Sequence, residues 1–441
     1  MKTICALSLV CCLLSLVGAT AQEAAPAPAS PAVQSTPAAT AAGPTTEYTL
    51  PPDKLAKAKA LYDLRGRLRI IGTVWSLVVL LGMLYLGVMA RYRDWAEGVA
   101  KNSFVQALIA VPLFLLTTDL LGLPLDAYQH SVSRQYGLSV QSWGSWFADQ
   151  LKGEALGLVL GTFLLWLMIV IIRRSPRRWW FYFWFPLYAM FLLVTYGAPW
   201  VIDPLFNDFV PLDKNNPQLV RQIEKLSQRS GLSIPRSRMF EMDASKKTNE
   251  LDAYVTGFGA SKRIVVWDTT IQKMTTPETL FVVGHEMGHY VLNHIIYGLM
   301  LGAIGIFILL YLIYRVSGWM LGRFGPRWRI RALGDWAALP MIFLIFSLFG
   351  FFAAPVANSI SRQFEHNADV YGLEVTHGIN ANSQESGAHA FQVLGEISLV
   401  YPYPSRFVTF WYGSHPSIPD RVRFAHEYDP WSKGEPPKYV K

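Results

Sequence analysis

Two histidines four residues apart, His285 and His289, lie on one face of any helix that contains them, so both imidazoles can reach a single cation. Glu286 is turned about 100° from His285 on that helix, close enough to hold a metal-bound water without having to ligate. The pattern His-Glu-x-x-His at 285–289 therefore specifies a metal helix with its own proton acceptor, the arrangement of zinc-dependent hydrolases. A catalytic zinc takes three protein ligands and keeps one position open, so one ligand is still to be found.

All three cysteines, Cys5, Cys11 and Cys12, fall within the first dozen residues. A cysteine zinc site and disulfides in the body of the chain are thereby excluded, and any metal rests on histidine and carboxylate. The third-ligand candidate is Glu365 in Phe364-Glu365-His366-Asn367-Ala368-Asp369, where Glu365 and Asp369 share a helix face; His366 is the alternative donor.

Hydrophobic residues make up 52% of the 441 and charged residues only 16%, against about 25% in soluble domains. Six apolar stretches, at 70–89, 104–123, 154–172, 179–202, 295–313 and 337–354, each approach the ~20 residues that cross a bilayer. The fourth opens on the aromatic run Trp179-Trp180-Phe181-Tyr182, which suits a membrane interface. Residues 1–21 read as a signal peptide, with Lys2 at its head and Ala19-Thr20-Ala21 as its cleavage site. Residues 22–50 read as an Ala/Pro/Thr-rich linker. The expected fold is mainly α: a polytopic membrane protein with about six transmembrane helices after a signal sequence, and a small α/β zinc-peptidase domain split around the fifth and sixth spans. An N-terminal membrane domain is expected over 51–205, the peptidase domain over 206–430 and a tail over 431–441.

The hairpin of the fifth and sixth spans brings the two motifs together whichever way the chain is inserted. The metal helix is expected to run straight into the fifth span, and the chain returns by the sixth. At about 1.5 Å per residue, His289 then stands about 9 Å above residue 295 and Glu365 about 16 Å beyond residue 354, heights that allow one shared metal. Thr276-Pro277-Glu278 is expected to start the metal helix, Thr276 as cap and Pro277 at the first helical position. Residues 238–242 read as a strand. Residues 253–256, the turn at 257–259 and residues 263–267 read as a hairpin, whose strand at Ala253 and Tyr254 could offer an edge to an extended peptide.

These residues resemble the type I CAAX prenyl endopeptidases, membrane zinc metallopeptidases of the gluzincin kind. The resemblance rests on 285–289, on Glu365-His366-Asn367-Ala368-Asp369 and on the run Pro204-Leu205-Phe206-Asn207-Asp208-Phe209-Val210-Pro211-Leu212. Ala253-Tyr254-Val255-Thr256-Gly257, Lys262-Arg263-Ile264-Val265, and Ser414-His415-Pro416 with Arg421 add to it. It implies a helical membrane chamber with one Zn²⁺ per chain held by His285, His289 and Glu365, and cleavage near the C-terminus of prenylated proteins. Glu286 is then the catalytic base. Asp369 either orients a zinc histidine or donates a proton. His415 and Arg421 steady the oxyanion or the substrate carboxylate, unless they only close the C-terminal fold. One position departs from the family, which usually has Asn where this chain has Asp252; an ionised acid accepts hydrogen bonds but cannot donate them.

The expected activity is thus zinc metalloendopeptidase, on a peptide or protein substrate, prenylated or not, at the bilayer. The alternatives are a general membrane quality-control protease and a non-proteolytic zinc-binding membrane chaperone. The net charge of +8 gathers at span ends, and topology explains it without nucleic acid. Twelve Lys and Arg fall in the three loops opposite the metal motifs and eight in the short segments beside them, which places the zinc domain outside a bacterial inner membrane, facing the periplasm. The family resemblance implies the reverse, a cytoplasmic-facing site.

Overall fold

The computed structural model describes residues 47–257 and 261–440. The signal peptide, most of the linker and the tip of the expected hairpin turn lie outside the described residues.

The membrane part begins with α1 (Pro52–Tyr85), α2 (Val88–Val99), α3 (Ser103–Gln135), α4 (Trp143–Arg174) and α5 (Trp179–Gly197), the last continued by a π turn at Ala198–Ile202. Among the described residues six helices are long and apolar enough to cross a membrane; five contain an expected span whole, and the first holds 70–85 of the expected 70–89. The basic stretch before the first span is part of the same helix, so the first span is the lower half of a 34-residue rod. Large apolar side chains such as Ile70, Leu120, Val159 and Leu193 stay exposed on these helices, the faces a bilayer covers. Inside, Phe114, Phe183, Phe191 and Trp336 are fully buried in one continuous apolar core.

A four-stranded sheet follows: β1 (Phe209–Pro211), β2 (Met239–Met242), β3 (Ala253–Thr256) and β4 (Arg263–Trp267), with α6 (Pro217–Arg229) between β1 and β2. The strand order is β1-β2-β4-β3, with β2 and β4 parallel and the outer pairs antiparallel. Ala253 faces Val266 and Val255 faces Ile264, so the expected hairpin is present and β3 is an edge strand.

Next come α7 (Thr276–Val291), α8 (His294–Phe324), α9 (Leu339–Thr376), α10 (Ser383–Ile397), α11 (Arg406–Tyr412) and α12 (Ile418–Glu427). A second apolar core, built on Phe281, Met287, Tyr371, Leu373 and Phe391, joins the sheet to these helices. On the far side of the membrane part, Arg93 is buried against Asp335 at 2.7 Å, which pins the start of α9.

Two expectations need correction. The metal helix does not run straight into the fifth span: α7 ends at Val291, and Asn293 takes a left-handed φ of 58° before α8 starts. The cap of α7 is Thr275, one residue earlier than expected, because Glu278 at the third helical position completes a reciprocal capping box with it; Pro277 therefore sits second, not first. Tyr48 and Leu50 are buried, and the backbone N–H groups of Lys438, Tyr439 and Val440 donate to the Glu374 carboxylate.

Candidate metal centre

The two helices that carry the motif residues meet through glycine. A methyl group on Gly284 of α7 would lie 2.9 Å from Val375 Cγ1, and one on Gly288 would lie 3.0 Å from Tyr371 Cβ. From the other side, a methyl on Gly372 of α9 would lie 3.2 Å from the backbone nitrogen of His285. The first approach is closer than side-chain carbons adopt and the other two are tighter than most, so the three glycines allow the helices their close separation. α7 is buried nearly throughout, from Glu278 to Met287 and on to His289, so its histidines are held by packing on both flanks.

At that contact, His285 Nε2 lies 3.1 Å from His289 Nε2 and 3.3 Å from Glu365 Oε2, while His289 Nε2 lies 3.5 Å from Glu365 Oε1. An ion bound tetrahedrally at about 2.0–2.1 Å sets its donors about 3.3 Å apart. The two ring nitrogens and the carboxylate, which meets one nitrogen through each of its oxygens, thus converge at about the spacing such an ion needs. All three residues are buried, and Glu365 Oε2 is a buried oxygen that receives no hydrogen bond. A buried carboxylate oxygen with no donor and two ring nitrogens aimed at one point are what a cation satisfies and what an apoprotein leaves costly. The residues fit a metal ion, and this donor set of two imidazoles and a carboxylate suits zinc.

The rings are supported from behind. His285 Nδ1 lies 2.8 Å from Asp369 Oδ1, and Arg421 forks onto the same carboxylate with its guanidinium 4.2 Å from the centre of the Phe391 ring. Burial opposes charging His285, but the adjacent Asp369 and Glu365 carboxylates win and raise it to about 10. Burial lowers His289 to about 3. Glu286 Oε1 is 3.9 Å from His285 Nε2, and burial followed by the charges of Asp252 and Glu365 holds its carboxyl well above the usual carboxylate range.

Asp252 lies just before β3. Its Oδ1 accepts from the Ala253 N–H at 2.8 Å, and Thr270 bridges its backbone N–H and C=O. Burial pushes its carboxyl up to about 7. Ala253 is fully buried on the face toward α7. Tyr254, on the opposite face, packs with Met242 and Val265 and pairs with Asp203. β3 is an edge strand, so its outer backbone groups pair with no further strand among the described residues. His415 Nε2 is 3.4 Å from Glu365 Oε2 on a half-exposed ring, with its Nδ1 2.9 Å from Ser414 Oγ. His366, the other third-ligand candidate, turns its ring edge onto Phe424 instead.

Sequence reading assigns His294 no place in the active centre of a protease, yet His294 Nδ1 is 3.2 Å from His289 Nδ1. It meets the far side of the ring from Nε2 and so is not a fourth donor, which a purely structural zinc site would need. The cue that could have found it is Asn293, a residue tolerant of the left-handed conformation, directly before it.

Residues 213–429 match the family model "Peptidase family M48", and residues 38–208 match "CAAX prenyl protease N-terminal, five membrane helices". An uncharacterized metalloprotease, YhfN of Bacillus subtilis, is 34% identical over 380 residues, 85% of this chain and 86% of that protein. A CAAX prenyl protease 1 homolog of Oryza sativa is 27% identical over 334 residues, 75% of each chain. The crystal structure of S. mikatae Ste24p matches with a TM-score of 0.75 at 22% identity, covering 88% of this chain and 92% of that one, which is a likeness of fold.

Proposed function

The chain belongs to peptidase family M48 and is a membrane metalloprotease resembling the CAAX-processing enzymes; on that premise we propose that it is a zinc-dependent endopeptidase that cleaves extended peptide segments presented at the membrane surface. The observation that carries this reading is the donor spacing of 3.1, 3.3 and 3.5 Å among His285, His289 and Glu365 with Glu286 beside them.

His285 and His289 through Nε2, and Glu365 through its carboxylate, would hold the ion. When bound, zinc supplies a Lewis acid that polarises the scissile carbonyl and makes water a nucleophile near neutral pH. Glu286 accepts the proton of the attacking water and delivers it to the leaving nitrogen, and its raised affinity for protons suits both halves of that task. Asp369, its Oδ1 2.8 Å from His285 Nδ1, faces that ring from behind and orients it for ligation. Because Arg421 also occupies the Asp369 carboxylate, Asp369 acts here as orienter rather than proton donor. The open edge of β3 supplies backbone donors and acceptors for an extended peptide, and His415 stands on the exposed side of Glu365 where a developing oxyanion can be met. The peptidase unit covers 206–430 and the membrane unit 51–205.

The relatives named for CAAX prenyl proteolysis make a prenylated C-terminus the substrate to try first. The full chain in detergent or vesicles, given matched peptides with and without a prenyl group on cysteine, is expected to cleave at least one, to stop with a chelator and to recover with Zn²⁺. Failure to cleave either overturns the reading.

The twelve basic residues in the loops opposite the site, against eight in the short segments beside it, favour insertion with the site on the outer face of the membrane. Alkaline phosphatase fused after Lys441 is expected to be active, and an inactive fusion reverses the orientation.

A further inference from the structure

His294 is placed by a break in the chain. On an unbroken helix a residue five beyond His289 is rotated about 140° from it and points to another side. Here α7 stops at Val291, Asn293 adopts φ 58°, and His294 opens α8 with its ring turned back onto His289. Its Nδ1 is 3.2 Å from His289 Nδ1, with ring centroids 5.1 Å apart. The other contact of His294 is with Phe364, whose ring lies 4.5 Å away at 8°. Phe364 immediately precedes Glu365 on α9. One imidazole, 6% exposed, therefore touches a donor on α7 and stacks against the neighbour of a donor on α9.

We infer that His294 is a positioning residue for the metal site: its Nδ1 accepts the hydrogen of His289 Nδ1–H. The bond selects the His289 tautomer whose Nε2 lone pair faces His285 Nε2 and Glu365. It also fixes the ring about its long axis, a degree of freedom that packing against α9 alone would leave loose. The two ligand histidines are then supported unequally. His285 leans on an anion, Asp369, and His289 on a neutral ring. A neutral acceptor withdraws less proton charge than a carboxylate does, so His289 is the weaker, more exchangeable of the two nitrogen donors. The stack on Phe364 ties the height of His294 to that of Glu365, so the break at Asn293 and the third ligand move together. This inference rests on the zinc reading above.

The test compares wild type, His294→Phe and His294→Gln as full-length protein in detergent, by zinc competition against a chromophoric chelator and by melting of the metal-free form. Phenylalanine keeps a ring on Phe364 but has no acceptor. Zinc affinity is expected to fall 10- to 100-fold on the scale of lost outer-sphere partners, with the metal-free melting temperature near that of wild type. Glutamine supplies an acceptor oxygen and is expected to recover most of the affinity. Wild-type affinity in His294→Phe overturns the inference, as does a glutamine variant no better than phenylalanine. A wild-type protein that binds no zinc overturns the zinc reading itself, and the inference with it.

Discussion

Arg421 grips Asp369 with two parallel hydrogen bonds, Nε to Oδ2 at 2.9 Å and Nη2 to Oδ1 at 2.5 Å, in a site where both side chains are buried. The same Oδ1 lies 2.8 Å from His285 Nδ1, so a residue on α12 reaches the metal helix through a single carboxylate on α9. Removing one partner of a buried pair leaves an uncompensated charge and typically costs about 3–5 kcal/mol. Arg421→Met is therefore expected to lower the melting temperature markedly, and to weaken zinc binding because Asp369 loses its fixed position. Calorimetry and zinc titration of the purified chain check both, and an unchanged melt would show that the fork does not support the site.

Glu286→Gln keeps the size of the side chain and removes its ability to accept a proton. It is expected to reduce kcat by about 10²–10⁴-fold, the range ascribed to a positioned acid–base group. Zinc content should stay near that of wild type, because Glu286 is not among the three residues whose donors converge. Glu365→Ala is the contrasting variant and should lose metal and activity together. Metal analysis beside peptide turnover separates the two, and a zinc-loaded Glu365→Ala protein would move the third ligand elsewhere.

The pH profile follows from the same carboxylates. A base works only when deprotonated, so kcat/KM falls as pH drops through the Glu286 pKa, and burial places that limb above the usual carboxylate range. Where Asp252 is ionised, toward the neutral end of the profile because its own carboxyl sits at about 7, its negative charge raises Glu286 further. Asp252→Asn removes that charge and restores a side chain with a donor, so the acid limb is expected to move to lower pH while the plateau changes less. Peptide hydrolysis measured across the acid-to-neutral range reads this directly, and a limb that stays put would uncouple the two groups.

Much of the site is legible in the chain because its chemistry is local. Four-residue spacing puts His285 and His289 on one face, and a hairpin of spans must return Glu365 to their side. The supports are less legible. Arg421 reaches Asp369 across 52 residues and a loop whose course no periodicity fixes. Tyr254 looks like a cleft residue until the sheet order shows which face of β3 looks toward α7. His294 sits at a spacing that shares no helix face with His289, and only a left-handed residue with neither glycine nor proline beside it makes the contact possible. The glycines at 284, 288 and 372 read as weak helix positions until the partner helix is placed against them.

Those glycines give the last prediction. Alanine normally stabilises a helix interior by roughly 1 kcal/mol relative to glycine. At Gly372 the added methyl would lie 3.1 Å from Phe281 Cε2, 3.2 Å from the His285 nitrogen and 3.3 Å from its Cα. Phe281 can turn slightly, but the His285 backbone cannot yield without carrying its imidazole away from Glu365. Overpacking of this kind costs about 1–3 kcal/mol, more than the helix gains. Gly372→Ala is therefore expected to lower the melting temperature and, because the strain falls on a ligand, to weaken zinc binding as well. Gly350→Ala is the control on the same helix, since a methyl there meets nothing within 4 Å. It should leave zinc affinity unchanged. Equal zinc affinity in both variants would mean that the helix contact at Gly372 does not set the spacing of the donors.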